Sequence, residues 1–200
     1  HIHQRVRGFK KHWQQTFQRA NAIQAISHFL ANWARNEGAV CPIEVVPNGV
    51  DIDKLKVKSD KLKVEEKNII ISVSRLVEKN GIDILIKAAA ELKHLIPNTK
   101  YLIQILGSGQ DEKKLKNLAR ELGVEDMVEF IGEIQPDEVP DFLHEADIFV
   151  RPSRSEGLGS AFLEAMAAGL PVIGTSVGGI PDFLKDGETG VVCELEDPHD

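Results

Sequence analysis

From Asn68 onward, short apolar runs alternate with stretches of helical spacing, and this alternation constrains the fold more than any other feature of the 200-residue chain. Ile69-Ile-Ile-Ser-Val73 is apolar but for Ser72 and does not alternate, which marks a strand covered on both faces, as in a parallel sheet. Ile82, Leu85, Ile86, Ala89, Leu92 and Ile96 then recur at helical intervals. The pair of signals repeats. Tyr101 to Leu106 reads as a strand, and Asp111 to Leu122 as a helix ended by Gly123. Val128 to Ile131 and Ile148 to Val150 read as strands around a helix from Asp137 to His144. Gly159 to Ala168 reads as a helix stopped by Gly169, and Pro171 to Gly174 and Gly190 to Val192 complete six strands. Parallel strands joined by helices need right-handed crossovers. The expected fold is therefore α/β, a doubly wound Rossmann-like parallel sheet. Its expected strand order is 3-2-1-4-5-6, with a ligand at the carboxyl ends of the strands.

Before Asn68 the signals are sparser. Ala22 to Ile26 reads as a short strand, and Ser27 as the N-cap of a helix running to about Asn36, with Gly38 after it. Ile43 to Val46 reads as a strand and Pro47-Asn-Gly49 as a turn. Lys54 to Lys67 is lysine-rich and reads as solvated. Residues 1–20 carry Arg5, Arg7, Lys10, Lys11 and Arg19 and no acid, with Trp13 and Phe17 on one helical face. Such a helix suits either an anionic membrane surface or a neighbouring domain.

The net charge of -7 argues against a nucleic-acid surface, which needs a basic face. An anionic ligand would have to be met by local donors. Cys41 and Cys193 are too few and too far apart for a disulfide framework or a metal site, and suit a reducing cytosol. The seven histidines show no paired metal-ligand spacing. No apolar run is long enough to span a bilayer, and the opening His1-Ile-His-Gln-Arg5 has neither an apolar core nor an initiator Met. The expectation is a piece excised from a longer cytoplasmic protein. Peripheral contact with the inner face of the membrane goes with the membrane reading of residues 1–20.

Chemistry concentrates between Ser153 and Val172. Glu156 and Glu164 stand eight positions apart, separated by Gly157-Leu158-Gly159, which opens a helix. A helix N-terminus presents unpaired N–H groups and the positive end of its dipole, so it holds phosphate well. Carboxylates accept hydrogen bonds from hydroxyls. One carboxylate before a phosphate cradle and one inside the helix reads as a nucleotide-sugar site. Gly107-Ser-Gly109 fails as a nicotinamide fingerprint, because Glu112 occupies the place of its third glycine.

The stretch resembles the E-x(7)-E signature of the retaining glycosyltransferases of the group-1 class (family four), which have the GT-B fold. Val45-Val-Pro-Asn-Gly-Val-Asp51 resembles that family's interdomain linker. Ser72-Val-Ser-Arg-Leu76 with Gly81-Ile-Asp-Ile-Leu-Ile86 resembles its diphosphate-binding strand, loop and helix. Ile105 to Gly109, Val128 to Gly132, Ala146 to Val150, Gly178 to Pro181 and Gly187 to Gly190 follow in the family's order, so the resemblance covers residues 20–200. It implies a remnant of the acceptor domain at 1–47, a linker at 48–67, and a nucleotide-sugar-binding domain, truncated at its C-terminal end, at 68–200.

By this resemblance Glu156 contacts the donor sugar and helps orient its anomeric carbon, and Glu164 binds the ribose hydroxyls. Gly157, Leu158 and Gly159 would give backbone N–H groups, and Ser160 either adds a hydroxyl to the phosphates or satisfies the helix end. The family often has an aromatic residue where Leu158 stands. Arg75, in a strand-to-helix loop, would clamp the diphosphate. The family usually has Lys immediately before Gly81, whereas here Asn80 holds that place and Lys79 precedes it. Either could contact the phosphates. Ile134 stands where the family often places the base, and Gly178-Gly179 reads as a turn beside the site. No general base stands out. That agrees with transfer in which the leaving phosphate takes the incoming hydroxyl's proton. No metal or other cofactor is expected, since the nucleotide-sugar enters as substrate, and the implied acceptor is a glycan or lipid-linked saccharide. The alternatives are a sugar-nucleotide epimerase of the same fold and a non-catalytic nucleotide-sugar-binding module.

Overall fold

The computed structural model describes residues 10–55 and 68–200. Lys10–Arg19 forms helix α1, Ile23–Ala25 strand β1, His28–Asn36 helix α2, Ile43–Val45 strand β2 and Ile52–Leu55 the short helix α3. Then come β3 (Asn68–Val73), α4 (Ile82–Leu95), β4 (Tyr101–Leu106), α5 (Glu112–Glu121), β5 (Val128–Gly132) and α6 (Val139–Glu145). The chain continues through β6 (Ile148–Arg151), α7 (Ser160–Ala167), β7 (Val172–Thr175) and β8 (Val191–Cys193).

Strands β3 to β8 form one six-stranded parallel sheet in the order β5-β4-β3-β6-β7-β8. Numbered from β3, this is the order 3-2-1-4-5-6 expected from the alternation. Register is tight at the centre, where Asn68 to Val73 pair residue for residue with Tyr101 to Leu106. Both faces are covered. On one, Ile71, Leu106, Phe149 and Val172 pack with Leu143 of α6 and Phe162 of α7. On the other, Ile103, Ile105 and Val128 pack with Ile82, Leu85, Ile86 and Ala89 of α4 and Leu115 of α5. Neighbouring Ile105 and Leu106 thus serve opposite cores, which is why these strands read as continuous apolar runs.

The segment before β3 forms a second, two-stranded parallel sheet of β1 and β2, joined through α2. Ser27 is the N-cap of α2, its hydroxyl accepting from the Leu30 N–H at 3.2 Å. Helix α1 lies on α2: Phe17 is 8% exposed and its ring meets Trp33 edge-on at 5.5 Å, with Trp13 6.0 Å from the same indole. The apolar stripe of α1 therefore packs on protein.

Two expectations shift. The region from Lys54 is not wholly solvated: Leu55 is 4% exposed, and Lys54 pairs with Asp137 at 2.7 Å. The rest of that stretch, 56–67, lies outside the described residues. Helix α6 starts at Val139 rather than Asp137, because the Glu138 carboxylate accepts from the Gln135 N–H at 2.9 Å and holds a turn there. Cys41 and Cys193 are both free thiols, as expected. No helix among the described residues is long and apolar enough to cross a membrane.

Candidate functional site

Strand β3 lies between β4, which follows it in sequence, and β6, so the sheet reverses its winding between β3 and β6. The loops leaving the carboxyl ends of those two strands meet there, at the position where sheets wound this way hold their ligands. One carries Arg75 and the 3-10 turn Glu78–Asn80; the other runs from Arg151 to the start of α7. The sequence-expected residues therefore come to one end of the sheet.

The second loop is tied down by a chain of polar contacts. Arg151 is 7% exposed, and its Nη2 donates both to the Glu156 carboxylate and to Asn80 Oδ1 at 3.0 Å. The Asn80 side-chain amide donates to the Arg75 carbonyl at 2.6 Å. Glu156 Oε1 accepts from the Gly157 N–H at 3.0 Å. Arg154 clamps the same loop from outside. Its guanidinium binds the Asp83 carboxylate at 2.7 and 2.8 Å, the Glu78 carbonyl at 2.8 Å, and Glu196 at 2.6 Å. Its hydrogen bonds to Asp83 are the first cause of a raised Arg154 pKa. The Lys79 carbonyl accepts from Arg154 N–H at 2.8 Å and Ser155 N–H at 3.3 Å, which locks the two loops together.

Asn80 settles one alternative about its own side chain. It is 2% exposed and spent on Arg75 and Arg151, so it is not free for an external phosphate. Lys79 is half-buried and Arg75 is exposed. Leu158 is buried rather than presented to solvent. Gly159 takes φ +87°, and no side chain caps the N-terminus of α7 that it opens. Ser160 lies in the first turn of α7, half-buried.

Glu164 lies one turn deeper on α7, half-buried, and burial alone raises its pKa above the ordinary glutamate value. Its carboxylate has no hydrogen-bond or ion-pair partner among the described residues. Ile134 follows β5 and packs against the edge of the core on the α6–α7 side. Gly178 and Gly179 back the site loop: Gly179 N–H donates to the Glu156 carbonyl at 3.2 Å. Helix α2 closes the far side. A Cβ on Gly179 would meet Ser27, and Asp182 accepts from the His28 N–H at 2.7 Å.

Several members of this arrangement escaped the sequence reading, among them Arg154 and its partner Asp83. Arg151 ends an otherwise apolar strand, Ile148-Phe-Val-Arg151, and a charge there was the signal available. Asp182 capping α2 from 154 residues away left no local signal.

Residues 53–200 match the group 1 glycosyl transferases. The chain is 32% identical over 193 residues to a GDP-mannose-dependent alpha-(1-6)-phosphatidylinositol monomannoside mannosyltransferase of Mycolicibacterium smegmatis, covering 89% of this chain and 50% of that protein. It is 34% identical over 190 residues to the putative colanic acid biosynthesis glycosyltransferase WcaL of Salmonella typhimurium, covering 89% and 45%. The chain thus spans about half the length of the curated relatives it matches. Anabaena Alr3699/HepE, solved in complex with UDP and glucose, superposes with a TM-score of 0.83 at 22% identity, covering 95% of this chain and 55% of that one. Sucrose-phosphate synthase of Thermosynechococcus elongatus superposes at 0.83 with 23% identity, covering 94% and 49%. These superpositions show the fold, the doubly wound parallel half of a GT-B structure. With residues 53–200 matched, the chain belongs to the group 1 glycosyl transferases.

Proposed function

We propose that this chain carries the donor half of a retaining glycosyltransferase, which moves a sugar from a nucleotide-sugar to a glycan or lipid-linked acceptor. The observation that carries this is Glu164, a half-buried carboxylate with no protein partner among the described residues, set on the helix whose open N-terminus follows Glu156. A buried carboxylate without a donor is unfavourable in the empty protein. Two ribose hydroxyls would supply the missing donors. Glu156 would then take the sugar hydroxyls and orient the anomeric carbon. Arg75, Lys79 and the backbone N–H groups around Gly157, Leu158, Gly159 and Ser160 would meet the diphosphate, with the base beside Ile134.

Chemically, these groups stabilise the charge that builds on the leaving diphosphate as the glycosidic bond lengthens. The diphosphate oxygen would take the acceptor hydroxyl's proton on the same face, which keeps the sugar's configuration. In this reading 1–47 belong to the acceptor domain, 48–67 to the linker and 68–200 to the donor domain. The reaction would take place in the cytoplasm. The exposed basic residues Lys11 and Arg19 of α1 would lie against an anionic membrane that presents the acceptor.

Calorimetric titration with GDP, GDP-mannose, UDP and UDP-glucose, followed by transfer assays on the full-length protein, tests this reading. GDP-mannose is the donor on which the mannosyltransferase relative depends, and UDP and glucose are bound in the HepE complex. Binding without transfer would favour a binding module. Epimerised sugar-nucleotide in place of transfer product would favour an epimerase.

Glu164→Gln separates binding from stability. Loss of charge-assisted hydrogen bonds should weaken nucleoside diphosphate binding by about 1.5–3 kcal/mol. The empty variant should nevertheless melt higher at neutral pH. A carboxyl whose pKa is raised on folding withdraws stability as pH climbs above its unfolded value. The gain should therefore vanish below about pH 4, where the unfolded glutamate is itself protonated. Unchanged nucleotide affinity would remove Glu164 from the ribose.

Arg75→Ala should weaken nucleoside diphosphates by about 1.5–3 kcal/mol and leave the bare nucleoside nearly unaffected, because the contact is to phosphate. Lys79→Ala should show a smaller loss of the same kind. A larger loss at Lys79 would reverse the two roles.

A further inference from the structure

Arg151 is a buried charge that the donor contacts above leave unused. It ends β6 with its guanidinium over the Phe162 ring, 5.9 Å from the centroid. Asn80 braces it from above, and Asn80 is itself fixed to the Arg75 backbone. Only Nη2 has partners, both of them protein, and Nε is buried without one among the described residues. Burial, and then the like charge of Arg75, act against its protonation, while the Glu156 carboxylate supports it. A guanidinium so placed does not reach outward as Arg75 does. It presents one nitrogen to one carboxylate oxygen.

The consequence falls on Glu156. Its side chain is 12% exposed, and each oxygen has one protein donor: Arg151 Nη2 on one, the Gly157 N–H on the other. A carboxylate has about four acceptor positions. The remaining ones are left for a ligand, and the two donors hold the carboxyl group in one orientation. Without Arg151 this nearly buried carboxyl would lose its ion-pair partner. It would then be free to swing away.

We propose that Arg151 is a positioning residue for the donor sugar: anchored on Asn80, it holds the Glu156 carboxylate aimed at the sugar hydroxyls without touching the donor itself. The proposal rests on the sugar-binding role given to Glu156 above. It separates the two guanidiniums at the switch point by task. Arg75 meets the diphosphate directly, and Arg151 acts only through Glu156.

The test compares a nucleoside diphosphate with its own nucleotide-sugar, GDP with GDP-mannose and UDP with UDP-glucose, by calorimetry on folded protein. Arg151→Met should reduce nucleotide-sugar affinity about tenfold or more and leave the diphosphate within about twofold. The double variant Arg151→Met with Glu156→Gln should bind the nucleotide-sugar no more weakly than Arg151→Met alone, because both changes remove one interaction. Arg151→Lys should recover part of the loss, since it keeps the charge but not the planar geometry. Equal losses on diphosphate and nucleotide-sugar would overturn the proposal, as would losses that multiply in the double variant. Should Arg151→Met fail to fold, Arg151→Lys and the double variant, which removes both buried charges, give the same comparison against Glu156→Gln. Wild-type protein that binds no nucleoside diphosphate would sink the donor-site reading and this proposal with it. Wild-type binding in which Arg151→Met leaves the sugar's contribution intact would sink this proposal alone.

Discussion

Gly178→Ala should unseat Glu156 and destabilise the protein by about 2–5 kcal/mol. Gly178 takes φ +59°, the left-handed region, where a Cβ costs roughly 1–2 kcal/mol. The Cβ would also fall 1.8 Å from the Glu156 carbonyl oxygen and 2.8 Å from its carbon. Those are backbone atoms, so no side chain can rotate away, and relieving such overpacking adds about 1–3 kcal/mol. One of the two loops must move. Either movement breaks the hydrogen bond from the Gly179 N–H to the Glu156 carbonyl, and with it the support of the carboxylate. The melting temperature should fall, and nucleotide-sugar affinity should fall further than nucleoside diphosphate affinity. A folded Gly178→Ala protein with wild-type melting would show that the Gly178 loop is not wedged against Glu156.

Phe162→Ala should cost about 3–5 kcal/mol. Phe162 is fully buried on α7, with ring contacts to Phe149 at 5.1 Å and Phe183 at 5.8 Å. Its ring also fills the space over Gly174 on β7, where a Cβ would lie 2.6 Å from the ring edge. Truncation therefore opens a cavity between α7 and the sheet, bounded by strands that cannot close on it. For a chain of this length the loss corresponds to a fall in melting temperature of about 6–20 °C. The same ring is the floor under the Arg151 guanidinium, so the cavity also loosens the brace on Glu156. Phe162→Leu should recover most of the stability, since it restores much of the volume. A loss below about 1 kcal/mol for Phe162→Ala would mean that α7 settles onto the sheet, contrary to the packing described.

The strand order of the six-stranded sheet was legible in the sequence for a physical reason. A strand buried on both faces cannot alternate, a crossover helix must repeat every turn, and parallel crossovers turn one way. Together these leave few arrangements, and the one expected is the one found. Ser27 as the cap of α2 was legible because capping acts within three residues. The position of Glu164 on α7 was legible from its spacing in the chain. That it has no partner, and that burial raises its pKa, was not.

What the sequence could not reveal is which side chains meet when loops from different strands converge. By its place before Gly81, Asn80 was one of two candidates with Lys79 for a phosphate contact, yet its side chain faces inward, because Arg151 arrives from a strand 71 residues further on. Leu55 read as part of a solvated segment, yet it is buried against the main core. Helix α1 could be given an apolar stripe from its spacing, but only the position of Trp33 on α2 shows what that stripe packs on. Period and local chemistry fixed the elements, their order and the location of the acidic pair. The pairing of Arg151 with Glu156 and Asn80, the seat of Gly178 against Glu156, and the Asp182 cap on α2 were decided by tertiary structure alone. Each joins groups whose distance depends on how the sheet brings its loops together, and no spacing along the chain encodes that distance.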